Sequence, residues 1–77
     1  MTIRTLKNEL ANCKKGDVIF INALHLSVNA IEYLQNEIKN NHIKPIESDV
    51  KGMFTESGYN KIMNGDAIAP QMEYIIQ

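Results

Sequence analysis

With Cys13 as its single cysteine, the chain can form no internal disulfide and build no cysteine-based zinc site. An excess of charge of one sign is missing as well. Eight Lys and Arg against nine Asp and Glu leave a formal net charge of -1 and a pI of about 6.0, too weak a field to hold a polyanion such as nucleic acid over the whole surface. DNA binding would need a local patch. No apolar run approaches the ~20 residues of a membrane span, and the N-terminus lacks the apolar centre of a signal peptide, so a soluble cytoplasmic protein without membrane contact is expected.

The motifs of chemistry are also missing. Gly52, Gly58 and Gly65 match neither a dinucleotide fingerprint nor a phosphate-binding loop, and His25 and His42 lack metal-ligand spacing. Glu32 and Glu37 stand five apart on a helical stretch and point in different directions, so they make no acid and base pair. Internal repeats, linkers and low-complexity segments are absent. At 77 residues the chain is one domain, 1–77, with a small core and little room for a large cleft. Neither catalysis nor a cofactor nor a metal is expected.

What is present is a composition that folds, 44% hydrophobic and 22% charged, which argues against intrinsic disorder. The clearest stretch runs from Gly16 to Asn41. Val18, Ile19, Phe20 and Ile21 form an apolar run with three β-branched members and predict a strand. Val18 and Phe20 line one face of it, Ile19 and Ile21 the other, and both faces require cover. Ser27 then caps a helix, with Leu26 packing on Ile31 as a hydrophobic staple. Val28, Ile31, Leu34 and Ile38 recur at helical spacing, and Asn40-Asn41 can take the left-handed conformation that stops a helix. Phe20, Ile31 and Leu34 are the expected contact between strand and helix.

Ahead of this stretch, Ile3, Leu6, Leu10 and Cys13 fall on one face of a first helix capped by Thr2, with Lys14 and Lys15 at its C-terminal end and Gly16 closing it. Cys13 reads there as a buried small hydrophobe. After it, Lys44-Pro45 forces an extended connector or short edge strand from His42 to Ile46. Glu47-Ser48-Asp49 supplies a cap and acidic first turn for another helix, with Ile46, Val50, Met53 and Phe54 as its apolar positions. Thr55 caps a further short helix to Asn64, which Gly65 stops. Met72, Tyr74 and Ile76 alternate as a closing strand. Met53, Met63 and Met72 read as core filling.

Residues 59–76, YNKIMNGDAIAPQMEYII, resemble the end of the recognition helix and the following loop in repressors of the phage Cro and CI type, where a helix closing in Asn-Gly precedes a loop and a proline. The resemblance covers under a quarter of the chain. It implies that Ile46 to Asn64 is a helix-turn-helix. Departures are the missing small residue in the first helix, the missing glycine at the turn, and a tail that alternates like a strand.

These elements predict an α+β domain of three or four short helices against a two- or three-stranded sheet containing 18–21 and 72–76. The order helix, strand, helix, helix, strand is also compatible with a winged-helix domain. Absence of catalytic constellations points to a small non-catalytic regulatory or adaptor protein acting through protein-protein contacts. Its expected contact residues are Ile19, Ile21, Tyr74 and Ile75, whose apolar surface exceeds what short helices cover, and the partner is another protein or a second copy. The alternative is a helix-turn-helix or winged-helix DNA-binding transcriptional regulator, with Ser57, Asn60, Lys61 and Asn64 facing the groove.

Overall fold

The computed structural model describes all residues 1–77. Helix α1 spans Ile3–Ala11, and the Thr2 hydroxyl caps it by accepting from the Thr5 amide at 3.2 Å. It ends earlier than the sequence suggests, at the Asn12 cap, so Cys13, Lys14 and Lys15 lie beyond it. Cys13 is only half-buried, and its thiol donates to the Glu9 carbonyl at 3.2 Å instead of packing in the core. Lys14 to Asp17 make a tight turn closed by the Asp17 amide on the Lys14 carbonyl at 2.9 Å. Gly16, at a φ of 94°, takes the left-handed position of that turn. The Gly16 amide donates to Ile76 O while the Ile76 amide donates to Asp17 O, which makes a glycine bulge at the sheet margin.

Strand β1 follows as Val18–Asn22, then a 3₁₀ turn at Ala23–His25, then helix α2 over Val28–Lys39, where Ser27 accepts from the Ala30 amide at 3.2 Å. Asn41 sits at a φ of 61°, and the amides of Asn41 and His42 return to Ile38 and Glu37 carbonyls. That doubly bonded left-handed stop is what Asn40-Asn41 predicts. The buried stripe of α2 is Ala30, Leu34 and Ile38. Val28 is 73% exposed and Ile31 half-buried, because Ala30 rather than Val28 begins the inward face.

Strand β2 is Ile43–Pro45, helix α3 Glu47–Met53, helix α4 Glu56–Met63 and strand β3 Gln71–Ile76. Ile46 occupies the N-cap of α3 with no side-chain hydrogen bond, so the Glu47-Ser48-Asp49 cap does not form, and Met53 stands 70% exposed. Thr55 caps α4 as predicted, accepting from the Gly58 amide at 3.2 Å.

The three strands make one antiparallel sheet in the order β1-β3-β2. It is an α+β fold with four helices. Both neighbours of β3 come from the chain ahead of α3, so the sheet holds no hairpin of the kind that forms a wing after a recognition helix. No helix is long and apolar enough to cross a membrane.

Register decides which residues reach the core. Ile19 pairs with Tyr74 and Ile21 with Met72, while Ile43 and Pro45 pair with Ile76 and Tyr74. Those side chains point toward Leu6, Leu34, Ile38, Val50 and Ile62, and the buried members form a single cluster. The opposite face carries Val18, Phe20, Ile75, Glu73 and Lys44, and no element covers it. The expectation that both faces of β1 are covered, and that Phe20 meets Ile31 and Leu34, therefore fails: Phe20 is 60% and Val18 51% exposed. Every helix packs on the Ile19 and Ile21 side.

Tyr74 is fully buried, and its hydroxyl has no hydrogen-bond partner. Burial pushes the phenol up to about 12 from the usual 10. An unpaired buried hydroxyl costs roughly 1–3 kcal/mol, so Tyr74→Phe should raise the unfolding free energy by roughly 1 kcal/mol near neutral pH. With the folded value above the unfolded one, protonation contributes stability that is intact below pH 10 and lost as pH rises toward 12. The loss in wild type approaches roughly 2–3 kcal/mol. Urea unfolding should therefore show the advantage of Tyr74→Phe widening across that interval. An advantage independent of pH would contradict the burial of the hydroxyl.

Candidate functional site

Three surfaces could carry function. The first is the open face of the sheet, built as a grid by the antiparallel register. One row holds Lys44, Ile75 and Val18, the next Glu73 and Phe20, the next Gln71 and Asn22. Exposed Phe20 and Val18 thus lie together with half-buried Ile75 beside a single cation and a single anion.

The same register leaves the margin of β1 unpaired. Ile76 and Asp17, and Pro70 and Ala23, are joined through their backbones, so the odd-numbered residues of β1 face β3. The amides and carbonyls of Val18, Phe20 and Asn22 point to the open edge. At the other margin the Gln77 amide bonds His42 O and the Ile46 amide bonds Glu73 O, which turns the backbone groups of Ile43 and Pro45, though not their buried side chains, toward the open edge. Proline has no N–H to offer there, and Lys44 sits between them, so the β2 edge is short and guarded while the β1 edge is neither.

Of the four residues expected at a contact surface, Ile21 and Tyr74 are in the core, Ile19 is half-buried on the helix side, and Ile75 is half-buried on the open face. The four do not come together. Val18 and Phe20 join Ile75 instead. The period-two pattern of the strand was visible in the sequence, but which of its faces the helices cover was not.

The second surface is the α3–α4 pair. Ser57, Asn60, Lys61 and Asn64 are all exposed, while Ile62 is buried and Tyr59 and Met63 are half-buried. The Tyr59 hydroxyl donates to Glu47 Oε1 at 2.8 Å, and Lys51 Nζ lies 2.7 Å from the same oxygen. Lys51, then Tyr59, hold the Glu47 carboxyl below its ordinary value. The cation that could have met a phosphate is thereby engaged. Between residues 47 and 66 the acidic side chains are Glu47, Asp49, Glu56 and Asp66 and the basic ones only Lys51 and Lys61. The net charge of this segment is negative.

The third is a cleft of about 330 Å³ between α1, α2 and the β2–β3 end of the sheet. Lys7, Tyr33, Glu37 and His42 line its rim over Leu10 and Ile43. Glu37 Oε2 lies 2.5 Å from His42 Nδ1, and Lys7 Nζ sits 5.2 Å from the Tyr33 ring centre. The Glu37 carboxylate one turn further along α2, with partial burial, pushes the Tyr33 phenol up to about 12. Tyr33 and Glu37 are four apart on one helix, a proximity readable from sequence; the approach of Lys7 from another helix is not. The Glu37–His42 contact joins the last turn of α2 to the residue that leads into β2. No three His, Cys, Asp or Glu side chains converge closely enough to hold a metal ion.

The chain matches no protein-family model, no curated protein and no solved structure.

Proposed function

We propose that the chain is a small non-catalytic regulatory or adaptor protein of the cytoplasm that acts through protein-protein contacts made by the open sheet face and the β1 edge. The observation that carries this reading is Phe20, a large aromatic left 60% exposed next to the Val18–Ile75 pair on a sheet face without cover. Fully burying such a side chain contributes about 1.5–3 kcal/mol, and edge amides add directional bonds to any strand laid beside them. Both gains are open to a protein partner.

The helix-turn-helix alternative is supported by the exposure of Ser57, Asn60 and Lys61 on α4 and of Asn64 at its C-cap. Electrostatics weigh against it. A lone free lysine releases about one counterion from a duplex, and the surrounding carboxylates repel the phosphates.

Immobilised wild type, Phe20→Lys and Lys61→Glu should be compared for capture from cell extract and for a salt-dependent shift of random duplex DNA. The expected result is capture by wild type and Lys61→Glu, none by Phe20→Lys, and no duplex shift by any of them. A saturable, salt-sensitive duplex shift that disappears in Lys61→Glu would overturn the reading in favour of DNA.

A further inference from the structure

We propose that the occupant of the β1 edge is a second copy of this chain, paired antiparallel through β1 about a two-fold axis at Phe20, so that two three-stranded sheets become one of six strands. The inference rests on the protein-contact reading above and names its partner.

Geometry favours self-pairing. The strand is five residues long, and its central residue, Phe20, is one whose amide and carbonyl face the open edge. A two-fold axis there sets Phe20 opposite the partner's Phe20 and Val18 opposite the partner's Asn22. All three outward-facing positions are used, and hydrogen-bonded antiparallel pairs exchange two bonds each, giving about six across the junction. Ile19 falls opposite the partner's Ile21, which extends cover over a side chain the monomer leaves half-buried. On the other face the two Phe20 rings meet, and an aromatic cross-strand pair adds to the area it buries.

Charge allows it too. Val18–Asn22 holds no ionisable side chain, so the strand meets its own copy without like-charge repulsion. The β2 edge could not do the same, since Lys44 would approach its own copy and Pro45 would withhold a donor. A junction of two short strands falls below the ~1,200 Å² of a standard interface, which sets the dimer in the weak, concentration-dependent class with a Kd on the order of 100 µM.

The test is sedimentation of the full chain together with amide exchange read residue by residue. Wild type should sediment near its 8.7 kDa monomer mass at micromolar concentration and approach twice that mass near 1 mM. Over the same range the amides of Val18, Phe20 and Asn22 should slow about five-fold, as the monomer fraction falls by mass action. The Ile19 and Ile21 amides, already bonded to β3, serve as the reference. Phe20→Lys and Phe20→Glu should each stay monomeric, because each sets like charges together on the axis, and their equal mixture should sediment as a dimer again. Phe20 is exposed, so neither change threatens the fold. A monomer at 1 mM, or a dimer whose Phe20 amide is unprotected, overturns the proposal. If either result comes with partner capture that Phe20→Lys abolishes, self-pairing falls while the protein-contact reading stands; if capture is also lost in wild type, both fall.

Discussion

Truncation of Leu34 to alanine should lower the unfolding free energy by roughly 2–5 kcal/mol, a large part of what a domain of this size has. Leu34 is fully buried in the cluster that joins α2 to Leu6 of α1, Val50 of α3 and the inner face of the sheet. The cluster around it draws on all four helices and all three strands, so the space the side chain leaves lies inside the core. For a domain of this length the melting temperature should drop by about 10 °C or more. Phe20→Ala gives the contrast. That side chain is exposed, so its removal should change stability by less than about 1 kcal/mol. Equal losses in the two variants would place the core on the wrong face of β1, and an unchanged melting temperature in Leu34→Ala would remove α2 from the core.

Gly65→Ala should be nearly as damaging for a different reason. Gly65 ends α4 at a φ of 79°, where the Gly65 amide returns to Ile62 O and the Asp66 amide to Lys61 O. The residue is buried against α2, and an added Cβ would lie 2.9 Å from the Gln35 carbonyl oxygen and 3.0 Å from Lys39 Cγ. The lysine can swing aside; the helical carbonyl cannot. Left-handed strain and a backbone clash together should cost roughly 2–4 kcal/mol. Gly16, at a φ of 94°, has nothing within 4 Å of the same added atom. Gly16→Ala should therefore cost only the strain, roughly 1–2 kcal/mol. Urea unfolding of the two variants separates these contributions, and an equal cost in both would mean that α2 and α4 do not approach at Gly65.

The sequence by itself determined the local elements, because caps and stops act within a few residues. Thr2, Ser27 and Thr55 each offer a hydroxyl three residues ahead of a free amide, and all three cap as read. Asn41 and Gly65 supply the left-handed stops, and Lys44-Pro45 breaks the chain into a short strand. The alternation of Met72, Tyr74 and Ile76 was equally legible, since a strand presents every second side chain to one face.

Only the tertiary structure decided which of two equivalent faces became the core. Val18 and Phe20 are as apolar as Ile19 and Ile21, so their sequence carries no sign of which pair the helices will cover. The register of β1 on β3 and the packing of all four helices on one side made that choice, burying Ile21 and Tyr74 and exposing Phe20. The same long-range pairing put the unguarded strand at the sheet margin. Pairing of β1 with β3 joins residues that stand from 49 (Asn22 and Gln71) to 57 (Val18 and Ile75) positions apart, and no local propensity reports on contacts at that range.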